Sequence, residues 1–332
     1  MTAALDIAAI GNAIVDVISP AAPAFLQSEG LAPGSMTLVD GARAADLYAR
    51  MAPGLEASGG SAANTLAGAA GLGARAAYMG KVADDELGRI FVHDIRAIGA
   101  HYVTAPLSGG PSTARCLVNV TPDGQRTMCT YLGACVEFGP ADVDASIVES
   151  AAILYLEGYL FDPPAAREAF AKAAGLARAN GRRIALSLSD AFVVERHRRA
   201  LLGFIDGQVD ILFANESEIC ALFETADIAA AQDAIRGRVE IAAVTHGAKG
   251  SALVTRETVI PIAADPVDAV VDTTGAGDQY AAGVLAGLAA GRPLAECGRL
   301  GSLAAAEVIS HFGPRPEVSM KERAARAGLV LA

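Results

Sequence analysis

Short apolar runs alternate along the chain with longer stretches in which apolar positions recur every three or four residues. Ile7–Ile10, Ala76–Val82, Ile153–Glu157, Arg183–Leu188, Ile211–Ala214 and Ile241–Thr245 are short and mainly apolar, which predicts strands buried on both faces. Ala62–Leu72, Glu86–Ile98, Ala165–Ala179 and Val194–Leu202 carry helical spacing. This alternation predicts an α/β fold: a doubly wound, mostly parallel sheet covered by helices on both faces. Two regions break the rhythm. Val15–Ile18 with Thr37–Val39, and Arg115–Val120 with Arg126–Tyr131 across the turn Pro122-Asp-Gly124, read as antiparallel hairpin material. They predict either a small second sheet, a lid over the main one, or ordinary edge strands of a single mixed sheet. No low-complexity linker or internal repeat divides the chain, so residues 1–332 read as a single domain, with lid segments at about 13–40 and 113–134 inserted in the core.

Composition narrows the function. Of 332 residues, 52% are hydrophobic, ample for a large core. A formal charge of -11 opposes general attraction to nucleic acid or an anionic membrane, so the expected partners are small molecules met by local groups. The five cysteines form no CxxC pair and the five histidines no HExxH or zinc-type spacing, which predicts reduced thiols and a cytoplasmic protein. The N-terminus Met1-Thr-Ala-Ala-Leu-Asp6 has no basic stretch, and no apolar run is long enough to span a membrane.

The chemistry gathers in glycine-rich turns. Asp272-Thr-Thr-Gly-Ala-Gly-Asp278 runs into an apolar helical stretch. Gly275, Ala276 and Gly277 leave their amides uncovered at the positive end of a helix, a cradle for a phosphate. A carboxylate inside such a cradle repels the anion, so Asp278 suggests a base that takes a proton from an attacking hydroxyl. The alternative is a helix start capped by Thr274, with Asp278 merely complementing the dipole. In Ser58-Gly-Gly-Ser-Ala-Ala-Asn64 the paired Gly59 and Gly60 let backbone approach a ligand, while Ser61 and Asn64 offer polar groups suited to a polyol or ribose. A tight strand-to-helix turn is the plainer reading. Asn12 and Asp16 follow the first strand, where a carboxylate could grip vicinal hydroxyls or simply be a solvated turn residue. Asn215-Glu-Ser-Glu218 opens a helix after a strand, so Glu218 could order the water around Mg²⁺, or the group could be a cap. Thr245-His-Gly-Ala-Lys-Gly250, with Thr245, Gly247 and Gly250, could flank an ATP tail or only turn the chain into the strand Ser251–Thr255.

Together these motifs strongly resemble those of the ribokinase-like (pfkB) sugar and nucleoside kinases, over nearly the whole chain. Gly11-Asn-Ala-Ile-Val-Asp16, Arg126–Leu132, Leu188-Ser-Asp-Ala-Phe192 and Val209–Glu216 resemble the adenosine kinase branch most. The resemblance implies a doubly wound α/β core with a β-sheet lid and transfer of the γ-phosphoryl of ATP, with Mg²⁺, to the 5′-hydroxyl of adenosine. A monovalent cation would be compatible with it, as would a monomer or a homodimer. It assigns Asp16 and Asn64 to the ribose hydroxyls, Asn12, Gly59, Gly60 and Ser61 to neighbouring contacts, and Leu132 and Phe192 to an apolar slot for the base. Gly275, Ala276 and Gly277 become the anion hole and Asp278 the base, with Asn215, Thr245, Gly247, Gly250 and Thr274 on ATP and Glu218 near Mg²⁺ through water. Arg115 departs from the eukaryotic adenosine kinases, which have small uncharged residues there. An arginine in the lid would suit a sugar acid, so a kinase of a free sugar or sugar acid is the second reading and a non-catalytic nucleoside sensor the third.

Overall fold

The computed structural model describes residues 3–331. Nine strands form the main sheet: β1 (Leu5–Ile10), β5 (Ala76–Met79), β6 (His101–Tyr102), β9 (Ala151–Glu157), β10 (Arg183–Ser187), β11 (Ile211–Asn215), β12 (Ile241–Thr245), β13 (Ser251–Val254) and β14 (Val259–Ile262). Their order is β14-β13-β12-β11-β10-β9-β1-β5-β6, parallel except for the antiparallel edge β12-β13-β14. Alternate residues of the central strands feed two cores, with Ala8, Ile10, Leu154 and Leu156 on one face and Ile7, Ala9, Ile153 and Tyr155 on the other. Helices Pro164–Ala179 and Ala191–Gln208 cover the first face, and helices Ser61–Gly71, Glu86–Ala97 and Ala276–Ala289 the second. Strand β1 lies between β9 and β5, so chain order reverses there and a crevice opens at the carboxyl ends of the strands. Among the described residues no helix is long and apolar enough to cross a membrane.

Five further strands form a separate sheet in the order β3-β8-β7-β2-β4: β2 (Ile14–Pro20), β3 (Met36–Leu38), β4 (Leu55–Gly59), β7 (Ala114–Val120) and β8 (Arg126–Tyr131). The hairpin β7–β8 forms as expected, its turn closed by Gly124 at φ +80°. The other expected hairpin does not form. Thr37 pairs with Cys129 of β8 and β2 pairs with β7 and β4, so two strands separate β2 from β3. The reason is the connection: β2 and β3 are joined by a segment containing the helix Pro23–Ser28, too long for a hairpin turn. Strand β4, which the alternation of apolar residues does not reveal, completes the sheet and sets Gly59 against Asp16.

Candidate active site

A cavity of about 650 Å³ lies between the inner face of the second sheet and the carboxyl ends of the main one. Its walls include Asn12, Asp16, Gly60, Ser61, Leu132, Phe192, Asn215, Glu218, Thr245 and the run Thr273–Asp278. The structure thus brings together residues from seven separate parts of the chain. Gly247 and Gly250 stay outside, in the turn that leads from β12 into β13. Gly59 and Asn64 stand just behind the wall. A Cβ on Gly59 would strike the Asp16 carboxylate, and Asn64 reaches the Asp278 carboxylate.

Helix Ala276–Ala289 starts at Gly275, whose φ of +77° places it in the left-handed region. A Cβ there would also meet Pro314 Cα at 2.7 Å, so only glycine fits. Thr274 is therefore not the cap. Its hydroxyl donates to Asp272 Oδ1 at 2.8 Å and accepts from Arg126 Nη1 at 3.1 Å, while Arg126 also pairs with Asp272. The Ala276 N–H is spent on the Thr273 carbonyl at 3.2 Å. Among the described residues the N–H groups of Gly275 and Gly277 donate to nothing, which leaves them for an anion.

Asp278 sits in the first turn of this helix. Ser61 Oγ donates to its Oδ1 at 2.6 Å and Asn64 Nδ2 to its Oδ2 at 3.4 Å. Removal from water dominates its chemistry and raises its pKa to about 6; those two hydrogen bonds and Arg315 oppose the shift, and Asp16 adds to it. Asp16 is likewise raised to about 6 by desolvation, against the pull of Arg315 and Arg126. Its carboxylate makes no hydrogen bond among the described residues and faces the cavity. Close packing of helix Ser61–Gly71 on helix Ala276–Ala289 brings Asn64 to Asp278. Gly68 has no side chain to obstruct Gln279, whose Nε2 donates to the Asn64 and Pro314 carbonyls at 2.9 Å each.

Glu157, at the end of β9, was expected only as a strand residue and proves to be a buried carboxylate in the cavity wall. It accepts from Asn12 N at 3.2 Å and Ala62 N at 2.8 Å, tying together the turns that present Asn12 and Ser61. Burial raises it to about 7. Asn215 and Glu218 form a reciprocal cap: Asn215 Oδ1 accepts from Glu218 N at 2.9 Å, and Glu218 Oε2 accepts from Asn215 N at 3.0 Å. The capping alternative is thus realised, yet Glu218 still lines the cavity, and desolvation raises it to about 7. Arg115 turns away. Strand alternation puts its neighbour Cys116 in the cavity and sends the Arg115 guanidinium to the outer face, 5.9 Å from the Tyr48 ring centroid.

The apolar end of the cavity is formed by Met36, Leu38, Met128, Leu132, Val136 and Phe192. Further polar groups in the wall are Tyr159, Ser189 and Asp190, the last two within the stretch Leu188–Phe192; Ser189 has φ +66° in the turn after β10.

The model of the pfkB family of carbohydrate kinases matches residues 50–320. Among solved structures, an adenosine kinase from Sinorhizobium meliloti is 51% identical, covering 97% of this chain and 99% of that one, with a TM-score of 0.91. A probable sugar kinase protein from Rhizobium etli CFN 42 is 48% identical, covering 99% and 100% of the two chains, with a TM-score of 0.94. Adenosine kinase from Saccharomyces cerevisiae is 28% identical over 95% of this chain and 97% of its own length. The glycine turn at a helix start, the crevice at the strand ends and these likenesses lead to one conclusion: the chain belongs to the pfkB family of carbohydrate kinases and is an ATP-dependent kinase.

Proposed function

We propose that the acceptor is adenosine, phosphorylated on its 5′-hydroxyl. The observation that carries this reading is the apolar end of the cavity, where Met36, Leu38, Leu132 and Phe192 offer a slot for a flat base, while Arg115 packs against Tyr48 outside the cavity. A free sugar has nothing to place against four apolar side chains, whereas a purine buried there gains roughly 1–3 kcal/mol. A sugar acid would call for a cation, and Arg115 lies on the wrong face to supply it. The likeness to the Sinorhizobium meliloti adenosine kinase supports the same acceptor.

The chain's own groups divide the work. When bound, ATP supplies the phosphoryl group, and Mg²⁺ on its phosphates offsets their charge. Asp16 accepts hydrogen bonds from the two vicinal ribose hydroxyls, and its open carboxylate fits that use. Asp278 takes the 5′-hydroxyl proton; a pKa of about 6 keeps it mostly ionised near neutrality while close enough to the working pH to act as a base. The Gly275 and Gly277 amides stabilise charge that develops on the transferred group. Among the described residues no three His, Cys, Asp or Glu gather to hold a metal, so the protein's share of a Mg²⁺ shell falls to Glu218, through water. Met36, Leu38 and Phe192 are 45%, 49% and 69% exposed although they face the cavity, leaving apolar area to be buried when the second sheet closes over a ligand.

The test is a panel of initial rates with ATP and adenosine, inosine, cytidine, ribose, fructose or 2-keto-3-deoxygluconate. Adenosine should show the highest kcat/KM, with ribose lower by at least about tenfold for the missing base contacts. A free sugar or sugar acid preferred over adenosine overturns the reading, and binding of adenosine without turnover of any compound would leave the sensor.

A further inference from the structure

Arg315 belongs to none of the phosphate or acceptor motifs, yet it touches several of the groups they bring together. It lies on the loop that follows helix Leu294–Val308. That loop is fastened to the phosphate turn: the Pro314 carbonyl accepts from Gln279 Nε2 at 2.9 Å, and Gly313 N donates to Asp272 Oδ2 at 3.0 Å. From this anchor the guanidinium crosses to the acceptor wall. Its Nε donates to Asn64 Oδ1 at 3.1 Å and its Nη1 to Ser58 Oγ at 2.7 Å.

Two consequences follow for Asp278. An asparagine amide can present either its oxygen or its nitrogen, and an oxygen facing a carboxylate repels it. With Asn64 Oδ1 held by Arg315, Nδ2 is the end that meets Asp278 Oδ2. The second consequence is charge. Asp16 on β2, Tyr155 and Glu157 on β9, Tyr159 in the turn after it, and Glu218 on helix Glu216–Phe223 all share the field of Asp278, and none of them carries positive charge. Arg315 is the cation that works against them. Burial lowers the pKa of Arg315 itself, and Asp16, Asp94, Tyr78 and Asp278 work to keep it charged.

We propose that Arg315 is a positioning residue for phosphoryl transfer, holding the Asn64 amide and the Asp278 carboxylate in the geometry and charge state that proton abstraction needs. The proposal rests on Asp278 being the base and is independent of which acceptor is used. It accounts for a buried arginine that spends its hydrogen bonds on an asparagine and a serine rather than on a carboxylate.

The experiment compares the full-length wild type with Arg315→Met, Arg315→Lys and Asp278→Asn by kcat and KM across the acid and neutral range, each variant checked for a cooperative thermal transition. In Arg315→Met the acid limb of kcat/KM should move up by about one pH unit, kcat near neutrality should fall at least about tenfold, and the ATP KM should stay within about twofold. Arg315→Lys should return the limb to its wild-type position while kcat remains low, because an ammonium restores the charge but not the fork that holds both Asn64 and Ser58. An unmoved limb in Arg315→Met beside an inactive Asp278→Asn overturns the role of Arg315 alone. Near-normal turnover in Asp278→Asn overturns the base assignment and this proposal with it. If Arg315→Met does not fold, Arg315→Lys decides, since full kcat in that variant refutes the positioning role.

Discussion

At the scale of single residues, Asp278, the proposed base, is legible in the sequence because a carboxylate directly after a glycine-rich helix start proposed to hold a phosphate is electrostatically out of place unless it has work to do. Arg315 is not legible, because what it touches lies 251 and 257 residues away along the chain. Glu157 reads as the last residue of an apolar strand, and only the arrival of Asn12 N and Ala62 N makes its burial tolerable. The cost of such burial is itself measurable at Asp278. Its folded pKa of about 6 lies above the ordinary carboxylate value, so stability from the protonated form is present in acid and is lost as pH rises through about 6. Asp278→Asn should therefore melt at a higher temperature than the wild type at about pH 7.5 without substrates, with the gap narrowing at about pH 5.5, while turnover falls by at least about a hundredfold and adenosine still binds. Turnover within a few-fold of wild type, or an Asn variant melting lower at the higher pH, contradicts the picture of a strained carboxylate kept for catalysis.

At the scale of elements, the start of helix Ala276–Ala289 shows two glycines with different tasks. Gly275 is held at φ +77° against Pro314, whereas the space where a Gly277 Cβ would lie has nothing within 4 Å. Gly275→Ala should cost stability by about 1–3 kcal/mol, from the left-handed backbone and the displaced Pro314 loop, and turnover should fall as well. Gly277→Ala should leave the fold intact or gain a few tenths of a kcal/mol from helix propensity, yet lose turnover by about tenfold or more if its N–H meets the transferred phosphoryl group. Urea unfolding and initial rates on both variants separate the two effects; full activity in Gly277→Ala removes that amide from the anion hole. Most strands and helices of the main sheet follow from apolar periodicity because each carries its own pattern in consecutive residues, although β6 and β14 were too short or weakly patterned to be read and the partners, as for β1 with β9, lie far along the chain. The second sheet was less legible. Its hairpin β7–β8 has a local turn signal, but β4 contributes the short, weakly patterned segment Leu55–Gly59, and the place of β3 beside β8 is set by packing across the sheet.

At the scale of the whole molecule, four carboxylates around one cleft are raised: Asp16 and Asp278 to about 6, Glu157 and Glu218 to about 7, desolvation leading in each case. Between the ordinary carboxylate range and neutrality the folded chain therefore binds more protons than the unfolded one, and stability falls as pH rises through that window. Asp6, Asp85, Asp94 and Asp144 are lowered and act in the opposite sense, but only further into acid. The ligand-free protein should thus unfold at a higher temperature at about pH 5.5 than at about pH 7.5, the reverse of the trend expected for its activity. Calorimetry at the two values checks this, and a transition higher at the neutral value rules it out. The sequence by itself determined the α/β class, the family and the glycine-rich turn at the start of helix Ala276–Ala289, because periodicity and glycine spacing are written in consecutive residues. Only the tertiary structure decided that Arg115 faces outward, that Glu157 ties two turns together and that Arg315 reaches Asn64. Those outcomes depend on which face a strand presents and on contacts that close over hundreds of residues, and neither is a property of a local stretch of chain.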